Sequence, residues 1–235
     1  MKYINGIFIC CLLASCSYHE ARKSNRQGMD YITRNAYKEA LQEFNLAIDK
    51  VPTYYPAYYN RAIVQANLNR PQEALQDMNY VIANMPDNAQ AYYNRAIIHE
   101  NLGNIPLAIQ DYSQALNINP QFLEAYHYRG IARYHMRDLK GALKDYDKAI
   151  NLGLETSALF FNRGVILQQQ GSLSDAIESY SRSIQIDPSN ARAYYNRAIA
   201  KMKINNKAEA RQDLEISRRL GYSKATEAIS RFYEE

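Results

Sequence analysis

The chain has 235 residues, with 28 Lys and Arg against 24 Asp and Glu, a formal net charge of +4 and 47% hydrophobic residues. A surplus this thin excludes the clustered basic footprint of a nucleic-acid binder, and all three cysteines fall in the first sixteen residues, which leaves none in the rest of the chain for a disulfide framework or a cysteine metal site. Tyrosine is the compositional oddity, at 21 residues beside no tryptophan.

In chain order, Met1 and Lys2 give a short basic start, Ile4 to Leu13 is mostly apolar, and the small residues Ala14 and Ser15 precede Cys16. A basic start, a short apolar run and a small-residue zone read as a secretory signal over residues 1–15. The run is shorter than the roughly 20 residues that span a bilayer. Loss of the signal removes Cys10, Cys11 and Lys2, leaving Cys16 as the one thiol. The sequence Leu13-Ala14-Ser15-Cys16 resembles the lipobox of bacterial lipoproteins. That resemblance implies cleavage before Cys16 and acylation of its sulfur and amino group. Several acyl chains anchor stably where one is marginal, because each buried methylene adds about 0.8 kcal/mol. Ser17 stands where an Asp would resemble an inner-membrane retention signal, which points to the outer membrane, facing the periplasm. Ordinary secretion with a free Cys16 is the competing reading. Residues 16–20 then form the acylated Cys and a short tether, at roughly 3.5 Å per extended residue. Arg22, Lys23, Arg26 and Arg34 either meet anionic head groups, at about 1 kcal/mol each, or lie on a solvated helix.

From residue 21 to 222 the chain repeats itself. Ala40, Ala74, Ala108, Ala142, Ala176 and Ala210 recur every 34 residues. A period of this length means stacked copies of one small unit, not a single core. The units are 21–54, 55–88, 89–122, 123–156, 157–190 and 191–222, and 223–235 is an amphipathic cap. Position 8 of each unit is small: Gly28, Ala62, Ala96, Gly130, Gly164 and Ala198. Position 24 is bulky: Phe44, Met78, Tyr112, Tyr146, Tyr180 and Leu214. This predicts two antiparallel helices per unit, approaching closely at the small residues. Gly103 and Gly171 mark turns within units; Pro52, Pro86, Pro120 and Pro188 end second helices, and Gly153 and Gly221 do so where proline is missing. These residues look like the tetratricopeptide repeat (TPR). The resemblance implies an all-α fold, a right-handed TPR superhelix (an α-solenoid) of six helix pairs plus a C-terminal capping helix, whose first helices line a concave groove.

Arginine holds position 7 in five units: Arg61, Arg95, Arg129, Arg163 and Arg197. A phosphate row is one reading. Ion pairs are the better one, because Asp77, Asp111, Asp145 and Asp213 follow sixteen residues later in four of the five. Ser179 stands there in the unit of Arg163, which must find another partner.

In TPR proteins the groove is built mainly from positions 2, 5, 6, 9, 12 and 13. Position 6 reads Asn60, Asn94, Tyr128, Asn162 and Asn196. An asparagine offers an acceptor and a donor to a peptide backbone whatever the ligand's side chains. The row resembles the asparagine ladder in the TPR superhelix of O-GlcNAc transferase, which grips extended peptides. The competing reading has these amides bonding neighbouring helices. Position 5 adds Tyr59, Tyr93, His127, Phe161 and Tyr195, rings that suit an amphipathic ligand or serve packing. The charge pattern of the carboxylate clamp of chaperone-binding TPR proteins is absent: units four to six offer His127, Ile131, Asn162, Arg192 and Asn196. His127 and His135 are eight residues apart on one helix, about 12 Å of rise, too far to share one ion.

No cofactor, metal or catalytic group is predicted. The expected function is a non-enzymatic scaffold of the bacterial cell envelope, lipid-anchored at Cys16, that binds an envelope protein or extended peptide in its groove. The alternative is a structural or self-associating assembly factor, pilotin-like or a dimeric spacer, with no peptide in the groove.

Overall fold

The computed structural model describes residues 2–233, with side chains from residue 15. The described residues form thirteen α-helices: α1 (Lys2–Thr33), α2 (Tyr37–Lys50), α3 (Tyr55–Asn67), α4 (Pro71–Asn84), α5 (Ala89–Asn101), α6 (Ile105–Ile118), α7 (Leu123–His135), α8 (Leu139–Asn151), α9 (Ser157–Gln169), α10 (Leu173–Ile186), α11 (Ala191–Lys203), α12 (Lys207–Arg219) and α13 (Ser223–Tyr233). They stack as antiparallel pairs, with α13 as the cap, in the manner of a TPR α-solenoid. The chain divides into two compact units, Met1–Ala125 and Tyr126–Glu235.

Helix stops follow two mechanisms set by sequence. Val51, Met85, Asn119 and Asp187 each precede a proline and leave the α region, with φ from −141° to −125°; Val51, Asn119 and Asp187 are extended. The residue before proline is driven out of the α region by the ring. Where proline is missing, Gly153 and Gly221 take φ of +98° and +87°, the left-handed stop that glycine adopts without steric penalty. Starts are capped by side chains in several units: Asn88, Asp138, Thr156 and Asn190 accept from the backbone N–H three residues on.

In the first unit, Ala62, Ala74, Met78, Val81, Ala91 and Ile98 form one buried cluster joining α3 and α4 to α5. In the second, Phe161, Leu167, Ala176, Tyr180, Ile184 and Ala193 do the same for α9, α10 and α11. Each pair thus hides its apolar side against the next, and each fully buried large side chain contributes about 1.5–3 kcal/mol. The small residue at position 8 makes room for the bulky one at position 24. A Cβ on Gly28, Gly130 or Gly164 would sit 2.5, 2.6 or 2.7 Å from the ring of Phe44, Tyr146 or Tyr180. The cap works through Ala225, Ala228 and Ile229, which pack on Ala198, Ala210 and Leu214.

Helix α1 runs unbroken through Cys16 and residues 17–20, so the stretch read as a tether is helical, rising about 1.5 Å per residue. Cys16 is exposed. Two residues on, Tyr18 makes an edge contact with Tyr54, ring centroids 5.3 Å apart. The Leu13–Ala14 half of the lipobox lies outside the residues whose side chains are described. Among the described residues no helix is long and apolar enough to cross a membrane.

Candidate functional site

The first helix of each pair carries position 7, and the arginines there are committed to the fold. Arg61, Arg95, Arg129 and Arg197 each fork Nε and Nη2 onto the two carboxylate oxygens of Asp77, Asp111, Asp145 and Asp213, at 2.6–2.9 Å. Each guanidinium also lies 5.2–5.6 Å from the ring of the tyrosine three residues earlier. The aspartates are buried, so the fork satisfies charges that have little access to water. A further Nη1 contact reaches back to position 25 of the preceding unit, at Asn45, Asn79 and Ser181. Arg163 shows the exchange that sequence reading left open. Its carboxylate partner is Asp147 at 2.8 Å, in that position-25 register, while Ser179 takes Nη1 at 2.7 Å. No arginine of the row is left over for an anionic ligand.

Positions 5 and 6 lie on the same helices, turned about 200° and 100° around the axis from position 7. In the first unit, Asn60 is buried and donates from Nδ2 to Asn25 Oδ1 at 2.9 Å. Asn94 is partly exposed and donates to the Tyr59 hydroxyl at 2.6 Å. Burial pushes the Tyr59 hydroxyl pKa up, and the bond to Asn94 partly opposes it. Tyr93 leans on Phe122, centroids 4.7 Å apart, and on Tyr112 at 5.8 Å. In the second unit, Asn162 and Asn196 are partly exposed and Tyr128 is exposed. The His127 ring lies between Tyr128 and Tyr146, centroids at 5.3 and 6.0 Å. Its Nε2 is buried with no hydrogen-bond partner, and desolvation pulls its pKa down. Phe161 is buried against Tyr180, and Tyr195 meets Tyr222 edge-on at 5.2 Å. His135 is exposed and beside Tyr134.

Two clefts open on this face, one in each unit. In the first, Ile63, Ala66, Asn67, Asn94, Ile97 and Asn101 line a space of about 240 Å³. In the second, Val165, Gln168, Gln169, Asn196 and Lys203 line one of about 170 Å³, floored by Tyr180. Counted along their repeats, the two clefts share the same places: positions 6 and 13 of one repeat and positions 9, 12 and 13 of the repeat before it. The candidate list from sequence named Asn94 and Asn196 but not the position-9 residues. Only the resemblance marks position 9 as a groove position; it reads Ile63, Ile97, Ile131, Val165 and Ile199, and all five are half-buried.

Among the described residues no group of three or more His, Cys, Asp or Glu is placed to hold a metal ion. The face is an arrangement of amides, rings and aliphatic side chains.

Comparison with known proteins agrees with this architecture. Residues 89–122 match the family model described as tetratricopeptide repeat, and residues 164–205 match one described as TPR repeat. No curated protein matches the chain. Among solved structures, pilF of Pseudomonas aeruginosa is similar with a TM-score of 0.75 at 16% identity, over 92% of this chain and 93% of that one. YrrB, described as a TPR protein with an unusual peptide-binding site, gives 0.70 at 21% identity, over 79% and 96%. A tetratricopeptide repeat protein from Parabacteroides merdae gives 0.68 at 21%, over 84% and 78%. The chain therefore carries tetratricopeptide repeats and has the fold of the tetratricopeptide-repeat proteins.

Proposed function

We propose that this protein is an interaction scaffold that holds extended peptide segments of a partner protein on the first-helix faces of its repeats. The observation that carries this reading is Asn94. Its amide is fixed by the Tyr59 hydroxyl at 2.6 Å while the side chain lines an open cleft between aliphatic residues. An amide held in one orientation next to apolar surface suits a peptide backbone with an apolar side chain beside it. Asn162 and Asn196 extend the reading to the second unit, with Tyr59, Tyr93, His127, Tyr128 and Tyr195 as flanking rings. Asn60 contributes least, because it is buried and bonded to Asn25. The peptide-binding site in the description of YrrB is in keeping with this use of the fold. The test is capture of a partner from bacterial envelope extract by immobilised chain. Asn94→Ala/Asn162→Ala is expected to stay folded, with stability lowered by about 1 kcal/mol for the lost bond to Tyr59, and to lose the partner; capture equal to that of the parent removes the ladder.

The same proposal places the scaffold on a membrane through acylated Cys16, at the periplasmic side of an outer membrane. It rests on the Leu13-Ala14-Ser15-Cys16 pattern and on the exposure of Cys16. Expressed in a bacterium, the chain is expected to partition into detergent and Cys16→Ser into the aqueous phase. Identical partitioning of the two would remove the anchor.

A second reading, self-association, has one observation in its favour. Between α12 and α13 lies a cleft of about 800 Å³, lined by Ala208, Ile216 and Tyr233 and rimmed by Lys207, Arg211 and Arg219. A dimer in light scattering, dispersed by Ile216→Asp, would favour it.

A further inference from the structure

The two clefts share a register but not a chemistry, and this difference deepens the reading above, on which it rests. In the first unit the walls are Ile63, Ile97 and Ala66, with Met78 and Ile98 beneath, and the only polar groups are the amides of Asn67, Asn94 and Asn101. Asn67 is itself turned to its own helix, donating to the Ile63 carbonyl at 2.8 Å. No charged side chain lines this cleft. At about 240 Å³ it falls below the roughly 300–1,000 Å³ of small-molecule pockets, a size for one side chain. In the second unit the places of Ala66 and Asn101 are taken by Gln168 and Lys203. Gln168 is spent on the Tyr180 hydroxyl, at 2.9 Å, and Gln169 reaches Tyr134 at 3.1 Å. The Lys203 ammonium is exposed and makes no ion pair among the described residues, and Asn196 adds an amide on the same wall. An ammonium and an amide donor lining one cleft suit a carboxylate.

We infer that the two faces select different side chains of an extended peptide: an aliphatic one in the cleft of Ile63 and Ile97, and an acidic one in the cleft of Asn196 and Lys203. Backbone recognition by the asparagines is indifferent to sequence, so these clefts are where the scaffold reads it. Partner segments therefore carry an aliphatic residue where they meet the first unit and an aspartate or glutamate where they meet the second. Salt weakens the second contact and leaves the first unchanged.

The test uses two blocked heptapeptides of serine, one with a central leucine and one with a central glutamate, titrated into the full chain carrying labelled methyl and amide groups. The leucine probe is expected to move the Ile63 and Ile97 methyl signals at concentrations at least fivefold below those the glutamate probe needs. The glutamate probe is expected to move the Val165 methyls and the Asn196 side-chain amide. Lys203→Gln should weaken that second titration at least fivefold and leave the leucine titration unchanged. If both probes move the same signals at equal concentrations, side-chain selection is wrong while peptide binding by the face stands. If neither probe moves any signal of either face, the binding reading falls with it.

Discussion

In the first unit each buried aspartate at position 23 answers to one guanidinium; in the second, two of them answer to a pair of cations. Asp145 takes Arg129 and also Arg133 Nη1, at 2.7 Å, and Asp213 takes Arg197 and also Lys201 Nζ, at 2.9 Å. The first unit has Gln65 and His99 at the register of Arg133 and Lys201. The Nε2 of His99 is 3.8 Å from Asp111, and burial pulls its pKa below the usual range. The repeat whose aspartate has become Ser179 places Leu167 at that register, so the extra cation and the acid are missing together. The fork from position 7 is the constant framework. The neighbour at position 11 decides how much redundancy surrounds it.

The largest expected effect breaks this contrast open. Arg95→Ala leaves Asp111 buried and without its fork, a loss of about 3–5 kcal/mol. Arg129→Ala leaves Asp145 still bonded to Arg133, so a loss on the order of 1–3 kcal/mol is expected. Repeat arrays do not always unfold as one body, so hydrogen exchange resolved by helix should accompany urea melts. Equal losses would mean that Arg133 lends Asp145 nothing. Capture of the partner by folded Arg95→Ala should match that of the parent.

The fold was legible because the 34-residue period places a small residue opposite a large one six times, and that pairing carries the packing. The arginine pairs were legible for the same reason, as a fixed separation of sixteen. Sequence offers the bonding of the asparagines to neighbouring helices as one of two readings, but it does not name the partner of any contact between neighbouring repeats. The swap of the Arg163 carboxylate to Asp147 crosses from one repeat to the previous one, as do the bonds from Asn60 to Asn25 and from Asn94 to Tyr59. Spacing within a unit cannot display them. The polar residues at position 6 mark the face in the sequence; position 9 is a groove position by resemblance, but its aliphatic residues carry no signal of their own. Side chains half in and half out look alike from sequence.

A smaller effect compares the turns. Position 15 of every unit has φ near +57° to +83°: Asn35, Asn69 and Gly103 in the first unit, Arg137, Gly171 and Asn205 in the second. Sequence marked the two glycines alone. Asparagine tolerates the left-handed region, whereas arginine gains nothing there and carries a β-carbon clash of about 1–2 kcal/mol. Arg137 is exposed, with φ of +64°. Arg137→Gly is expected to stabilise the second unit by up to about 1 kcal/mol, after the extra entropy of glycine in the unfolded chain is set against the relieved strain. Asn69→Gly should change the first unit by a few tenths of that or less. A thermal melt of the pair separates them, and a destabilised Arg137→Gly would show that the guanidinium does something at the turn.

The smallest effect concerns the two buried histidines. Both have pKa values pulled below the usual 6.5, chiefly by desolvation. At His99 the carboxylate of Asp111 opposes the pull and the Arg95 guanidinium adds to it, whereas at His127 burial acts alone. A depressed imidazole pKa means that the unfolded chain binds the proton first. Stability is therefore whole above about 6.5 and declines as pH falls from there toward the folded-state value, with the unfolded state holding more protons across that window. The second unit should lose more than the first on acidification from pH 7 to 5. His127→Phe, which keeps a ring beside Tyr146 and removes the titrating nitrogen, should flatten the decline, and His99→Phe should flatten it less. Measuring the urea midpoint at both pH values decides it: an unchanged slope in His127→Phe would place the acid sensitivity elsewhere in the unit.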